Sequence, residues 1–202
     1  MKLALTPNSP FARKVRVFIR ERGGATLVSE EVMQPLENPA SLRAINPLGK
    51  VPVLTLPDAS SLFESALIVE YLDGILPGPA SIPPAGIPRW STLRNQAIAD
   101  GLMQAAVSMT FERARSDASP SAYWLERWRI AIEHAIEELD RQARKFPDYP
   151  DPGSIATACA LAYLDFRHAA LAWRNVAPDL ASWFGEVATR PSMIDTAPEQ
   201  AS

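Results

Sequence analysis

The chain has 202 residues, 47% of them hydrophobic and 21% charged, with a formal net charge of -3 and a sequence pI near 5.5. That length and balance predict one or two folded domains with a real apolar core, and exclude an intrinsically disordered chain. The charge leaves no general basic surface for nucleic acid or an anionic membrane, and the one cysteine, Cys159, excludes an intrachain disulfide framework and a multi-cysteine zinc site.

Taken in chain order, Leu3 and Leu5 alternate in a short strand that stops at Thr6-Pro7. Only Leu3, Ala4 and Leu5 follow Lys2 before that break, too few for the apolar core of a secretory leader. No stretch approaches the ~20 apolar residues of a membrane span, so a cytoplasmic location is expected. A helix then starts with Ser9 as N-cap and Pro10 at its first position. Phe11, Val15, Phe18 and Ile19 share one face, Arg13, Arg16 and Arg20 lie elsewhere, and Gly23-Gly24 ends it. Residues 26–32 read as a second strand and 41–45 as a short irregular helix. Pro47-Leu48-Gly49 is a turn, 51–56 and 61–63 form a hairpin, and a third helix starts near Glu64.

Residues 77–88 hold five prolines, at 77, 79, 83, 84 and 88, and read as a linker. Beyond it, helices are expected over 90–115, 123–146, from Ser154 onward, and over 180–188, with a poorly ordered tail from Thr196. The run from Ile155 to Leu164 is apolar on nearly every face, which makes it the buried centre of a helical region and Cys159 a small core side chain. His134 and His168 share no metal-ligand spacing with each other or with Cys159, so no metal is expected.

A βαβ unit, a hairpin and a helix, followed by a Pro-rich linker and helices alone, predicts an α+β thioredoxin-like domain over 1–76, a linker over 77–88 and an all-α domain over 89–202. The segments Ser-Pro-Phe-x-Arg-Lys-Val-Arg at 9–16, Asn-Pro-Leu-Gly-Lys-Val-Pro-Val-Leu at 46–54, and Glu64-Ser65 followed by Ile68 and Tyr71-Leu72-Asp73 stand in a telling order. With Ala99-Asp100-Gly101 and 162–167 in the helical half, the chain resembles the cytosolic glutathione transferases over its whole length, in particular serine-type bacterial members of similar size. The resemblance implies glutathione as cosubstrate, a small electrophile or peroxide as second substrate, and a homodimer.

Each segment has two physical uses. Pro52 cannot donate to a sheet ladder, which suits either a plain strand start or a turn with a cis bond. The resemblance implies cis, with the Val51 N–H and C=O pairing an extended peptide ligand as an added strand does. Glu64 and Ser65 open a helix, where either one caps it or the unpaired N–H groups and the Ser65 hydroxyl take the γ-glutamyl carboxylate while Glu64 accepts from the ammonium. Lys50 is either solvated or sits at the glycyl end, by its charge or its carbonyl. Asp100, by resemblance, reaches the glutathione of the partner subunit.

Ser9 is the candidate catalytic residue. A thiol attacks as its anion, and a free thiol has a pKa of about 8.5. A hydroxyl bonded to that anion is worth roughly 1.5–3 kcal/mol and a helix N-terminus about 0.3–1 kcal/mol, together a lowering of about 1.5–3 pKa units. The competing use of Ser9 is to cap its own helix through the Ala12 N–H. Thr6 and Asn8 are its possible substitutes. An N-terminal catalytic tyrosine is absent, the first tyrosine being Tyr71, and so is a catalytic cysteine. Phe11, Met103, Ala106, Val107, Thr110 and Phe111 are candidates either for a second-substrate surface or for ordinary core, and Arg113 and Arg115 either favour an anionic cosubstrate or form a solvated face. A non-catalytic glutathione-binding or protein-interaction module is the alternative reading, since fold does not fix function. In the family the helix at Ser154 starts with a capping box closed by Asp; Thr157 stands there instead, and a slightly weaker cap is expected.

Overall fold

Strand β1 (Lys2–Leu5) is buried from Leu3 onward and lies in the middle of a four-stranded sheet of order β2-β1-β3-β4. β2 (Ser29–Val32) runs parallel to β1, so the chain must cross over between them, and α1 (Pro10–Glu21) is that crossover. β3 (Val53–Thr55) and β4 (Ser61–Phe63) are antiparallel to their neighbours. The computed structural model describes residues 1–116, 119–146 and 150–198, and its contacts form two units: Met1–Arg89 with the chain from Arg190 onward, and Trp90–Thr189.

In the first unit, Val15, Phe18 and Ile19 of α1 and Ile68, Val69 and Leu72 of α3 (Ser65–Ile75) are fully or nearly fully buried, and the two helices pack together. A smaller cluster of Ala4, Leu42 and Val53 takes in Ile45 of α2 (Ala40–Ile45), together with Met33, Val51 and Phe63. The regular strands are shorter than expected at 26–32 and 51–56.

Residues 77–88 are tied down rather than loose. Asp73, near the end of α3, accepts from Ser81 N–H (2.8 Å), Ser81 Oγ (2.7 Å) and Ile82 N–H (3.0 Å). Arg22 at the end of α1 pairs with the same carboxylate and donates to the Pro77 carbonyl at 3.2 Å.

The chain from Arg190 docks on α1. Arg190 makes a two-pronged contact with Glu21 at 2.8 and 2.6 Å, and Arg13 donates to the Met193 carbonyl at 2.8 Å at the end of α8 (Pro191–Ile194). Arg13 and Lys14 are both buried despite their charge. Thr196, the expected start of a loose tail, is fully buried and donates to the Ser192 carbonyl; residues 199–202 lie outside the described residues.

The second unit takes in most of α4 (Gly86–Arg113), with α5 (Ala122–Ala143), α6 (Pro152–Arg167) and α7 (Pro178–Val187). Every residue from Pro152 to Leu161 is buried, Cys159 among them. The start of α6 corrects the sequence reading. Asp151, not Ser154, is the N-cap, and Pro152 sits in the first turn, where it lacks no needed donor. Asp151 accepts from Ser154 N–H at 2.8 Å while Ser154 Oγ accepts from Asp151 N–H at 3.0 Å, a complete capping box three residues early. Thr157 carries no cap; its hydroxyl donates to the Gly153 carbonyl. Gly153 is required here, since a Cβ would come within 2.9 Å of the Thr92 carbonyl on α4.

Candidate active site

The register of the sheet explains how three distant segments come together. Ala4 pairs with Val53 and Val53 with Phe63, one row across β1, β3 and β4. Because β3 runs antiparallel to both neighbours, the chain leaves β1, approaches β3 and leaves β4 on the same side of that row. Ser9 follows β1, Val51-Pro52 precedes β3, and Glu64-Ser65 follows β4, so all three stand at one end of the sheet. Three strands abreast span roughly 10 Å, and an extended tripeptide is about as long.

Ser9 is the N-cap of α1. Its Oγ accepts from Ala12 N–H at 3.2 Å and its backbone N–H donates to the Thr6 carbonyl at 3.0 Å. A hydroxyl has two acceptor lone pairs and one donor hydrogen, and the cap uses only a lone pair. Among the described residues the Ser9 hydrogen has no acceptor, so capping and donation to an anion are compatible rather than exclusive uses. Thr6, a possible substitute, is committed elsewhere: its hydroxyl donates to the Met33 carbonyl.

The Val51-Pro52 peptide bond is cis. Among the described residues the Val51 N–H and C=O enter no hydrogen bond. Asn46, 2% exposed, holds the preceding turn: its Oδ1 accepts from Leu48 N–H at 3.0 Å, and its amide donates to the Lys50 carbonyl at 2.8 Å. The Lys50 side chain is exposed. Gly49 completes the turn at φ 62°, where a side chain is disfavoured.

Glu64 is the N-cap of α3, but its side chain makes no capping bond, and its φ of 71° is in the left-handed region at a non-glycine residue. Such a conformation costs about 1–3 kcal/mol and collects at functional sites. Ser65 is 4% exposed, yet its hydroxyl has no partner among the described residues. Every fully covered side-chain polar atom among those residues is paired, so the Ser65 hydroxyl must face an opening. The first N–H groups of α3 lie beside it, also without helical partners. A buried hydroxyl and orphan N–H groups at a helix start are equipped to receive a carboxylate.

Phe11 is half-buried in the first turn of α1. Asp100 is half-buried on α4, in the second unit. Of the proposed second-substrate residues, Met103 and Ala106 are fully buried and belong to the core of that unit, Thr110 and Val107 are half-buried, and Phe111 is 53% exposed. Arg115 is paired with Glu112 at 3.4 Å, whereas Arg113 turns to His168.

Comparison with known proteins fits this arrangement. Residues 8–75 match the family model of the glutathione S-transferase N-terminal domain. The uncharacterized GST-like protein YibF of Escherichia coli K12 is 31% identical over 204 residues, covering 100% of both chains. The chain belongs to the glutathione S-transferase family. A glutathione transferase family member from Pseudomonas fluorescens Pf-5, solved with bound glutathione, superimposes with a TM-score of 0.94 at 38% identity, covering 98% of this chain and 99% of that one. The same family member with bound S-(propanoic acid)-glutathione gives a TM-score of 0.90 at 38% identity, covering 99% and 100%. In this member of the family, sequence reasoning missed the turn-holding role of Asn46, the burial of Arg13 and the joint grip of Arg22 and Asp73 on the linker. Arg13, Asn46 and Asp73 are polar residues inside the quoted motifs, which was the available signal; Arg22 lies outside every motif and carried none.

Proposed function

We propose that this transferase binds glutathione along 1–76 and activates its thiol for conjugation to electrophiles or reduction of peroxides. The observation that carries the reading is the alignment, at one sheet end, of unpaired ligand-binding groups: the Ser9 hydrogen, the Val51 backbone and the Ser65 hydroxyl. Ser65 and the α3 N-terminus take the γ-glutamyl carboxylate, and Glu64 accepts from the ammonium. Val51 pairs with the ligand's backbone beside Pro52, Lys50 and Phe11 flank the rest, and Ser9 donates to the thiolate. In a conjugation the sulfur bonds the electrophilic carbon; with a peroxide, two glutathione thiols become a disulfide as the O–O bond is reduced. The bound adduct in the Pseudomonas fluorescens relative is a glutathione thioether whose added arm ends in a carboxylic acid, which supports conjugation as the reaction class.

We also propose a cytoplasmic homodimer with a role in detoxification, in which Asp100 reaches the ligand of the partner subunit. Calorimetric titration with glutathione tests the site. Ser65→Ala should weaken binding by about 10- to 150-fold, the worth of a hydrogen bond to a charged group. Unchanged affinity would overturn the carboxylate assignment.

A further inference from the structure

Arg13 belongs to the segment that opens on Ser9, one helical turn further along α1. Its backbone N–H donates to the Ser9 carbonyl at 2.9 Å and so closes the first turn. Its guanidinium is held by the carboxyl-terminal segment: Nη2 donates to the Met193 carbonyl at 2.8 Å and Nε to Thr196 Oγ1 at 3.4 Å. Thr196 spends its own hydrogen on the Ser192 carbonyl at 2.7 Å, which leaves its lone pairs to accept from Arg13. At the other end of α1, Glu21 takes Arg190 in bonds of 2.8 and 2.6 Å and accepts from the Ser192 hydroxyl. Arg13 and Glu21 stand roughly 12 Å apart along the helix axis, so the segment 190–196 is pinned along α1 at two points. It follows α7 in the chain but packs within the first unit.

The buried Val15, Phe18 and Ile19 hold α1 against the core of the unit, but apolar contact is non-directional and tolerates small shifts along the helix axis. Hydrogen bonds are directional and weaken steeply with distance and angle, and those from a buried guanidinium are about twice as strong as neutral ones. The Ser9 hydroxyl needs that precision. A donor to an anion must be held within about 0.5 Å of its productive position, and a misplacement of about 1 Å is costly. Arg13 is joined to Ser9 by a backbone bond and to the segment by side-chain bonds, so loosening the segment loosens the cap.

We propose that the segment 190–196 is a strap that fixes the first turn of α1, and that Arg13, through it, is the positioning residue for the Ser9 hydroxyl at the glutathione thiol. The positioning part rests on the proposed glutathione reaction; the strap does not. The strap is tested by amide hydrogen exchange of the ligand-free protein, because the N–H groups of residues 12 and 13 are the ones bonded to Ser9. In Arg13→Met, and in the milder Thr196→Val, which keeps the side-chain shape and removes the hydroxyl, these two amides should exchange faster, by about tenfold in Arg13→Met, while those of β1 keep wild-type rates. Arg13→Lys, which can reach only one of the two acceptors, should fall between wild type and Arg13→Met. Should Arg13→Met not fold, Thr196→Val decides. Wild-type exchange at residues 12 and 13, or an acceleration shared equally by β1 as a plain loss of stability would give, overturns the strap.

Positioning is tested by the pH titration of the thiolate of bound glutathione at saturating ligand. A segment that only adds stability changes the melting temperature and leaves this midpoint alone, because the titration is a property of the folded complex. The midpoint should rise by about one pH unit in Arg13→Met, a tenfold loss of preference for the thiolate, and by less in Thr196→Val. In a Ser9→Ala background neither change should move it further. An unchanged midpoint beside faster exchange, or a shift of the same size without the Ser9 hydroxyl, overturns the positioning role. A wild-type midpoint near that of free glutathione refutes the glutathione reading and the positioning part that rests on it, and the strap then stands or falls on the exchange rates.

Discussion

Replacing Arg22 with methionine should destabilise the first unit severely. The Arg22 and Asp73 side chains are 1% and 5% exposed, so their ion pair is fully sequestered. Methionine fills much of the space but leaves the Asp73 carboxylate buried with only Ser81 and Ile82 as donors, and leaves the Pro77 carbonyl without its Arg22 partner. Removing one member of a buried pair costs about 3–5 kcal/mol. Against a typical total of about 5–15 kcal/mol, that is a large share of the unit's stability. The assay can separate the units, because all five tryptophans, at 90, 124, 128, 173 and 183, lie in Trp90–Thr189. Urea unfolding followed by far-UV circular dichroism reports both units, while tryptophan fluorescence reports the second alone. The variant should lose about 3–5 kcal/mol in the transition that carries the sheet, and Asp73→Asn combined with it should cost clearly less than the sum of the two single changes. A loss below about 1 kcal/mol, the level of an exposed bridge, would refute the reasoning.

Two further outcomes follow from other parts of the fold. Burial raises the Asp151 pKa above its ordinary 3.8, despite the Ser154 and Thr92 hydrogen bonds, so the folded state holds that proton more tightly than the unfolded one. Its contribution is therefore greatest below pH 3.8 and declines as pH rises through the higher native value, a slope that Asp151→Asn should remove from the pH profile of thermal stability, at a cost of about 1 kcal/mol if the cap weakens. His168 has the opposite sign: its folded pKa lies below the ordinary 6.5, so its contribution is intact above that value and is lost as pH falls through the native one. His168→Asn should flatten that acid-side decline, read from melting temperatures across pH 4–8.

The parts of the fold legible in the sequence were those set by local chemistry. Ser9-Pro10 marks the start of α1 because a hydroxyl cap followed by a residue without an N–H suits that position and few others. The alternation of Leu3 and Leu5 and the apolar run from Ile155 are likewise local signals, and the structure contains the strand and the buried helix; the Val51-Pro52 dipeptide alone left two uses open, and the cis bond that the structure contains was implied by the family resemblance. What depends on partners far along the chain was not legible. Arg13 reads only as a charge off the apolar face of its helix until Met193 and Thr196, some 180 residues later, supply its acceptors. The helix reads as starting at Ser154, and Asp151 emerges as its N-cap only when Ser154 closes the box with it. Within the candidate site, Ser9, Val51 and Ser65 could be named from motif, but their common position depends on the pairing of Ala4, Val53 and Phe63, which periodicity does not specify. That Ser9 can cap and donate at once followed only from the Ala12 bond.

The central claim is that the free hydrogen of the Ser9 hydroxyl stabilises the thiolate of bound glutathione. An ultraviolet difference titration of the glutathione complex against pH, in wild type and Ser9→Ala, tests it most directly. The account predicts a thiolate absorbance that appears about 1.5–3 pH units below the free thiol value of about 8.5 and moves back towards that value in the variant. A bound thiol that titrates near its free value in the wild type, or a lowered value that survives the loss of the hydroxyl, would contradict it.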